Sequence, residues 1–129
     1  MRWRALDVAF VVQGEGRGHM TQALAVRDFL ADAGHRVVAV YLGTSTIRPA
    51  PRYFGARMDA PVTTFVAPTL VPDRLARGMS VGRTTAHNVR HLPAYVSSSL
   101  SLRRSIRERH PDVVVNFFDL LAGFAHLLS

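Results

Sequence analysis

The sequence has no cysteine. That excludes a disulfide framework and a thiolate metal site, and it fits a cytoplasmic setting. It has no lysine either: all sixteen basic residues are arginines, set against nine acidic ones for a net charge of +7. No apolar run approaches the ~20 residues that span a bilayer. The charged start Met1-Arg2-Trp3-Arg4 leads into an apolar segment that is short and ends in glycines, so no signal peptide is expected. Internal repeats, low-complexity tracts and linkers are also missing. What remains is 129 residues, 48% of them hydrophobic, enough for one folded domain with a core.

The positive balance suits an anionic partner, whether phosphate, nucleic acid or a membrane surface. The arginines are spread along the whole chain, however, as compositional bias would spread them. No basic amphipathic helix demands a membrane, so peripheral contact with an acidic inner membrane face stays open. Nucleic acid is not an expected partner.

The densest signal lies near the start. The run Val8-Ala9-Phe10-Val11-Val12 is followed by Gln13-Gly14-Glu15-Gly16-Arg17-Gly18-His19, and then by an amphipathic stretch ending near Ala33. This predicts strand, glycine-rich turn, helix. Glycines at alternate positions let the backbone turn sharply and approach a ligand closely. The following helix aims its unpaired N–H groups and positive dipole end into that turn. His19 falls on the first helical turn, where a positive dipole end disfavours imidazolium and leaves a ring able to accept a proton.

Further along, the pattern predicts a strand over 6–12, a helix over 19–33 with Gly34 as its stop, and a valine-dense strand over 36–42. In that helix Ala23, Val26, Leu30 and Ala33 form the apolar stripe, with Phe29 beside them. Residues 47–60 read as irregular, 62–66 as a third strand and 68–82 as loop. A helix is expected from Thr84 or Thr85, either of which suits a cap, with Pro93 kinking or restarting it before Pro111. Residues 113–118 read as another buried strand, and 119–129 as a helix. Strands alternating with helices imply a doubly wound, mostly parallel α/β sheet of the Rossmann-like kind. Ligands sit at the carboxyl ends of such strands, so residues 14–19, Thr44 and Asp119 should share one rim.

Residues 11–40 resemble the opening of glycosyltransferases with the GT-B fold. The matching pieces are Gly18-His19, Ala23-Leu24-Ala25, Ala33-Gly34-His35 and Val37-Val38. The strand Pro111-Asp112-Val113-Val114-Val115 leading to Asp119 resembles the same half of those enzymes. The matches cover roughly half the chain. They are similar to the lipid-linked peptidoglycan N-acetylglucosaminyltransferase, the diacylglycerol glycosyltransferases and the UDP-glycosyltransferases. The resemblance implies that residues 1–129 form the acceptor-side domain, without the C-terminal domain that holds most of a nucleotide-sugar donor. Such a chain would be inactive alone. The implied partners are that donor and an acceptor that is a small molecule or a lipid-linked glycan, with no cofactor.

By that resemblance His19 is the catalytic base or a contact to donor or acceptor, and Asp119 is the candidate carboxylate that orients it; Asp119 also fits a plain helix cap. Gly14, Gly16 and Gly18 stand where the family's phosphate-side loop stands, and Arg17, Thr21 and Thr44 are candidate substrate contacts. The G-x-G-x-G spacing departs from the dinucleotide fingerprint G-x-G-x-x-G, and no acid ends the second strand, which counts against NAD. His35 reads as a turn residue. Arg83, His87, Arg90 and His91 cluster on one helix, but a metal there lacks a third ligand, so a solvated or acceptor-facing surface is expected. Trp3, Phe117 and Phe118 are expected to pack. Two other functions stay open: half of a nucleotide-sugar 2-epimerase, and a non-catalytic binding module for an anionic partner.

Overall fold

A computed structural model describes residues 3–45, 50–119 and 121–123. Within them, four strands and four helices run in the order β1 (Asp7–Gln13), α1 (Arg17–Asp32), β2 (Arg36–Thr44), α2 (Arg52–Met58), β3 (Val62–Val66), α3 (Val81–Arg90), α4 (Leu92–Arg109) and β4 (Val113–Phe117). The strands form one parallel sheet in the order β3-β2-β1-β4. The predicted doubly wound, Rossmann-like α/β architecture is therefore present. Parallel pairing needs a crossover between neighbours, and α1 supplies it between β1 and β2.

The central strand shows why the sheet forms where it does. Val8, Ala9, Phe10, Val11 and Val12 are all essentially inaccessible, as a continuous apolar run requires when both sheet faces are covered. Even-numbered side chains meet α1 and α2. There Phe10, Val12, Met20, Leu24, Phe54 and Met58 close one core. Odd-numbered ones meet α4, where Ala9, Val11, Tyr41 and Leu102 close the other. At the opposite end from the carboxyl rim, the Asp112 carboxylate takes the Asp7 N–H and pairs with Arg4. Those two bonds hold it below the usual carboxylate range.

Several expectations need correction. Residues 52–58 are not irregular: Phe54 and Met58, one helical turn apart, both bury in the α1 core. Helix α3 begins at Val81, not near Thr84 or Thr85, because Ser80 accepts the Arg83 N–H as its cap. Thr84 instead accepts the Val71 N–H, and Thr85 donates back to the Val81 carbonyl. Pro93 restarts rather than kinks: α3 ends at His91 and α4 begins there, with the proline in its first turn, where its missing N–H costs nothing. The strand β4 lies at the sheet edge with Val113 and Val114 exposed, not buried. Trp3 and Phe29 are exposed as well. Residues 121–123 are helical, and the rest of the helix expected over 119–129 lies outside the described residues.

No helix among the described residues is long and apolar enough to cross a membrane.

Candidate functional site

The carboxyl ends of β1, β2 and β4 converge on one rim, and each supplies part of the candidate site. After β1 the chain turns through Gly14, Glu15 and Gly16 into α1. The Gly14 N–H bonds the Gly43 carbonyl at 2.7 Å, tying the turn to the end of β2. Gly14 is obligatory, since a Cβ there would run into that carbonyl oxygen. Gly16 is the N-cap of α1 at φ 87°, a left-handed conformation that favours glycine. Gly18 lies inside the first helical turn with open space around it, so nothing in the fold demands glycine there. The helix thus starts two residues before the predicted His19, and its N-cap, Gly16, has no side chain to offer its first turn. Its leading N–H groups point toward the rim.

His19 sits in that first turn, half-buried. Its Nδ1 is inaccessible and has no hydrogen-bond partner among the described residues. Its ring stacks on Phe118 from the end of β4, with centroids 5.1 Å apart and planes 28° apart. Arg17 is exposed at the start of the helix, and its carbonyl accepts the Thr21 hydroxyl at 2.8 Å. Thr44 ends β2 half-buried, with its hydroxyl donating to the Phe65 carbonyl at 3.4 Å.

Asp119 reaches the same rim by a different route. Its carboxylate is 4% exposed. Oδ1 accepts the N–H groups of Leu121 and Ala122 at 2.8 and 3.2 Å, as a cap does. Oδ2 presses on the β2 backbone so closely that a Cβ on Gly43 would lie 2.5 Å from it. Burial raises the affinity of this carboxyl for a proton, and the two N–H bonds partly offset that rise. The described hydrogen bonds therefore make Asp119 a cap beside Gly43, and none of them joins it to His19.

The helix pair α3–α4 brings His87 and Tyr95 within electrostatic reach of Glu15 in the glycine turn. His87 and His91 stack at 4.2 Å, and the His91 Nδ1 lies 2.8 Å from the His87 carbonyl. Burial and the neighbouring His91 lower the proton affinity of His87, while Glu15 from the glycine turn opposes them. Tyr95 donates to Asn88, which in turn holds both polar backbone atoms of Thr69. Arg83 turns away to the Pro72 carbonyl. No three His, Asp or Glu side chains among the described residues could hold a metal ion. His35 is structural: its Nδ1 accepts the Leu6 N–H at 3.1 Å.

Sequence patterning did not single out Gly43, Asn116 or Phe118 as site residues. A glycine within a strand is a signal of close backbone approach, and Gly43 carries it. Asn116 and Phe118 gave no such signal, because their roles depend on contacts with Asp119 and His19 that only the folded sheet creates.

No protein-family model, curated protein or solved structure matches the chain.

Proposed function

We propose that this chain is the acceptor-side domain of a GT-B-type glycosyltransferase, which moves a sugar from a nucleotide diphosphate donor to an acceptor hydroxyl. One observation carries the proposal. An imidazole whose buried Nδ1 has no hydrogen-bond partner among the described residues stands in the first turn of α1, beside a glycine turn on the carboxyl rim of a parallel sheet. Ligands of this architecture bind at that rim.

In the proposed reaction His19 takes the proton of the acceptor hydroxyl as its oxygen bonds to the anomeric carbon. The bond from that carbon to the diphosphate breaks, and the nucleotide diphosphate leaves with the electron pair. The N–H groups around Gly16 and Gly18 would face the diphosphate once a second, donor-holding domain closes over the rim. Asp119 would orient His19 in that closed form, a contact that needs a shift from its present capping bonds.

The test is product analysis with the full-length protein, nucleotide sugars and hydroxyl acceptors. A glycoside formed in equal amount to released nucleotide diphosphate is expected. A free epimerised sugar would instead make the protein an isomerase.

A specific observation bears on a further partner. From Arg74 to Arg107 the chain carries seven arginines and no acidic residue. The same stretch exposes Leu75, Met79, Val81, Val89, Leu92, Val96 and Leu100. Exposed aliphatic side chains beside arginines, of which Arg104 pairs with Glu108 just past this stretch, suit the interface of an anionic bilayer, and a lipid-linked acceptor would be presented there.

A further inference from the structure

Among the described residues, four non-glycine residues have a positive φ: Asp59, Ala76, His110 and Phe118. Asp59 and His110 end α2 and α4, where a left-handed residue is a common terminator. Ala76 lies in a tight turn closed by its own N–H on the Asp73 carbonyl. Phe118 ends no helix. It follows strand β4 at φ 59°, a conformation that bulky side chains rarely adopt.

Phe118 is also 75% exposed, although its neighbour Phe117 is buried against Phe10. Leaving a phenylalanine in water and holding its backbone left-handed both cost stability. Such a residue persists only where its surroundings force it, and here they do. The Asn116 side chain brackets the bend: Oδ1 accepts the Asp119 N–H at 2.8 Å, and Nδ2 donates to the Asp119 carbonyl at 2.9 Å. The Asp119 carboxylate then fixes the next turn through Leu121 and Ala122. Two polar side chains thus hold one apolar ring out over the rim, with His19 stacked against it.

We infer that Phe118 is a binding platform for the acceptor. Its ring takes the flat apolar face of a six-membered ring, either the CH face of a pyranose or the π face of an aromatic alcohol, beside His19. The inference rests on the acceptor-side assignment above. Aromatic rings stack on such faces with energies that are modest but specific in geometry.

The test measures binding, not turnover. Methyl β-D-glucopyranoside and 2-naphthol are titrated separately into the full chain by ligand-observed NMR, and thermal unfolding is followed for the same samples. Phe118→Leu keeps apolar bulk but removes the flat face. It should weaken binding of whichever probe binds the wild type by about threefold to tenfold. Phe118→Gly also removes the backbone strain, so it should lose binding equally while its unfolding midpoint stays level or rises. The probe that responds identifies the acceptor as sugar-like or aromatic. The inference is overturned if neither probe binds, if both variants bind as the wild type does, or if Phe118→Gly lowers the midpoint by several degrees, which would make the ring a structural plug. Failure of sugar transfer in the product analysis would sink the glycosyltransferase proposal without altering this binding result.

Discussion

Asp119 is the buried carboxyl of the rim, and its two capping bonds do not fully offset the cost of removing its charge from water. With its proton affinity raised on folding, this carboxyl holds a proton more often in the folded chain than in the unfolded one around and above the ordinary carboxylate pKa of about 3.9. Stability from this group therefore falls as pH rises from that value through the raised one. Asp119→Asn keeps an oxygen for the Leu121 and Ala122 N–H groups and has no charge to bury. Urea unfolding against pH should show the variant gaining on the wild type across that window and holding the gain at neutral pH. A constant difference at every pH would deny the desolvation argument. Gly14 makes a second case at single-residue scale. Its absent Cβ is what admits the Gly43 carbonyl. Gly14→Ala should cost about 1–3 kcal/mol by denaturant titration, the usual result of forcing an extra carbon into a packed site.

Each helix start tells how far local chemistry reaches. Ser80 caps α3 by accepting the Arg83 N–H at 3.2 Å, so Ser80→Ala should lower stability by about 1 kcal/mol. If Thr84→Ala cost the same through fraying of α3 while Ser80→Ala cost nothing, the helix would start where the sequence pattern placed it. Threonine and serine are interchangeable as caps on paper, and tertiary contacts decide: Thr84 is occupied by Val71. The strands β1, β2 and β3 and the helix α1 were legible because apolar runs and 3.6-residue spacing span each of them. The short helix α2 was not, since Pro51 and Gly55 mask its single buried turn of Phe54 and Met58. Edge position is equally invisible in a valine run, so β4 reads as buried until the strand order is known. In the site, the turn from Gly14 to His19 is local and was readable. That Asp119 shares a rim with the 14–19 turn and Thr44 followed from the parallel-sheet reading, but the particular contacts of Phe118 with His19 and of Asp119 with Gly43 were not readable.

Across the whole molecule the arginines are widely spread, and the stretch 74–107 combines seven of them with seven exposed large apolar side chains, on an otherwise ordinary Rossmann-like sheet. If an anionic bilayer is the partner of that face, the protein should sediment with vesicles containing phosphatidylglycerol and not with pure phosphatidylcholine. Salt should weaken but not abolish the association, because aliphatic insertion is not screened. Loss of all binding in moderate salt would indicate arginine attraction alone. The central claim concerns the rim: that its imidazole is a base for an acceptor hydroxyl. The most direct measurement is kcat/KM for sugar transfer by the full-length protein and by His19→Ala, with folding of the variant checked by circular dichroism. Loss of a general base predicts a fall of about 100- to 10,000-fold with the fold intact. Unchanged transfer by His19→Ala would contradict the account.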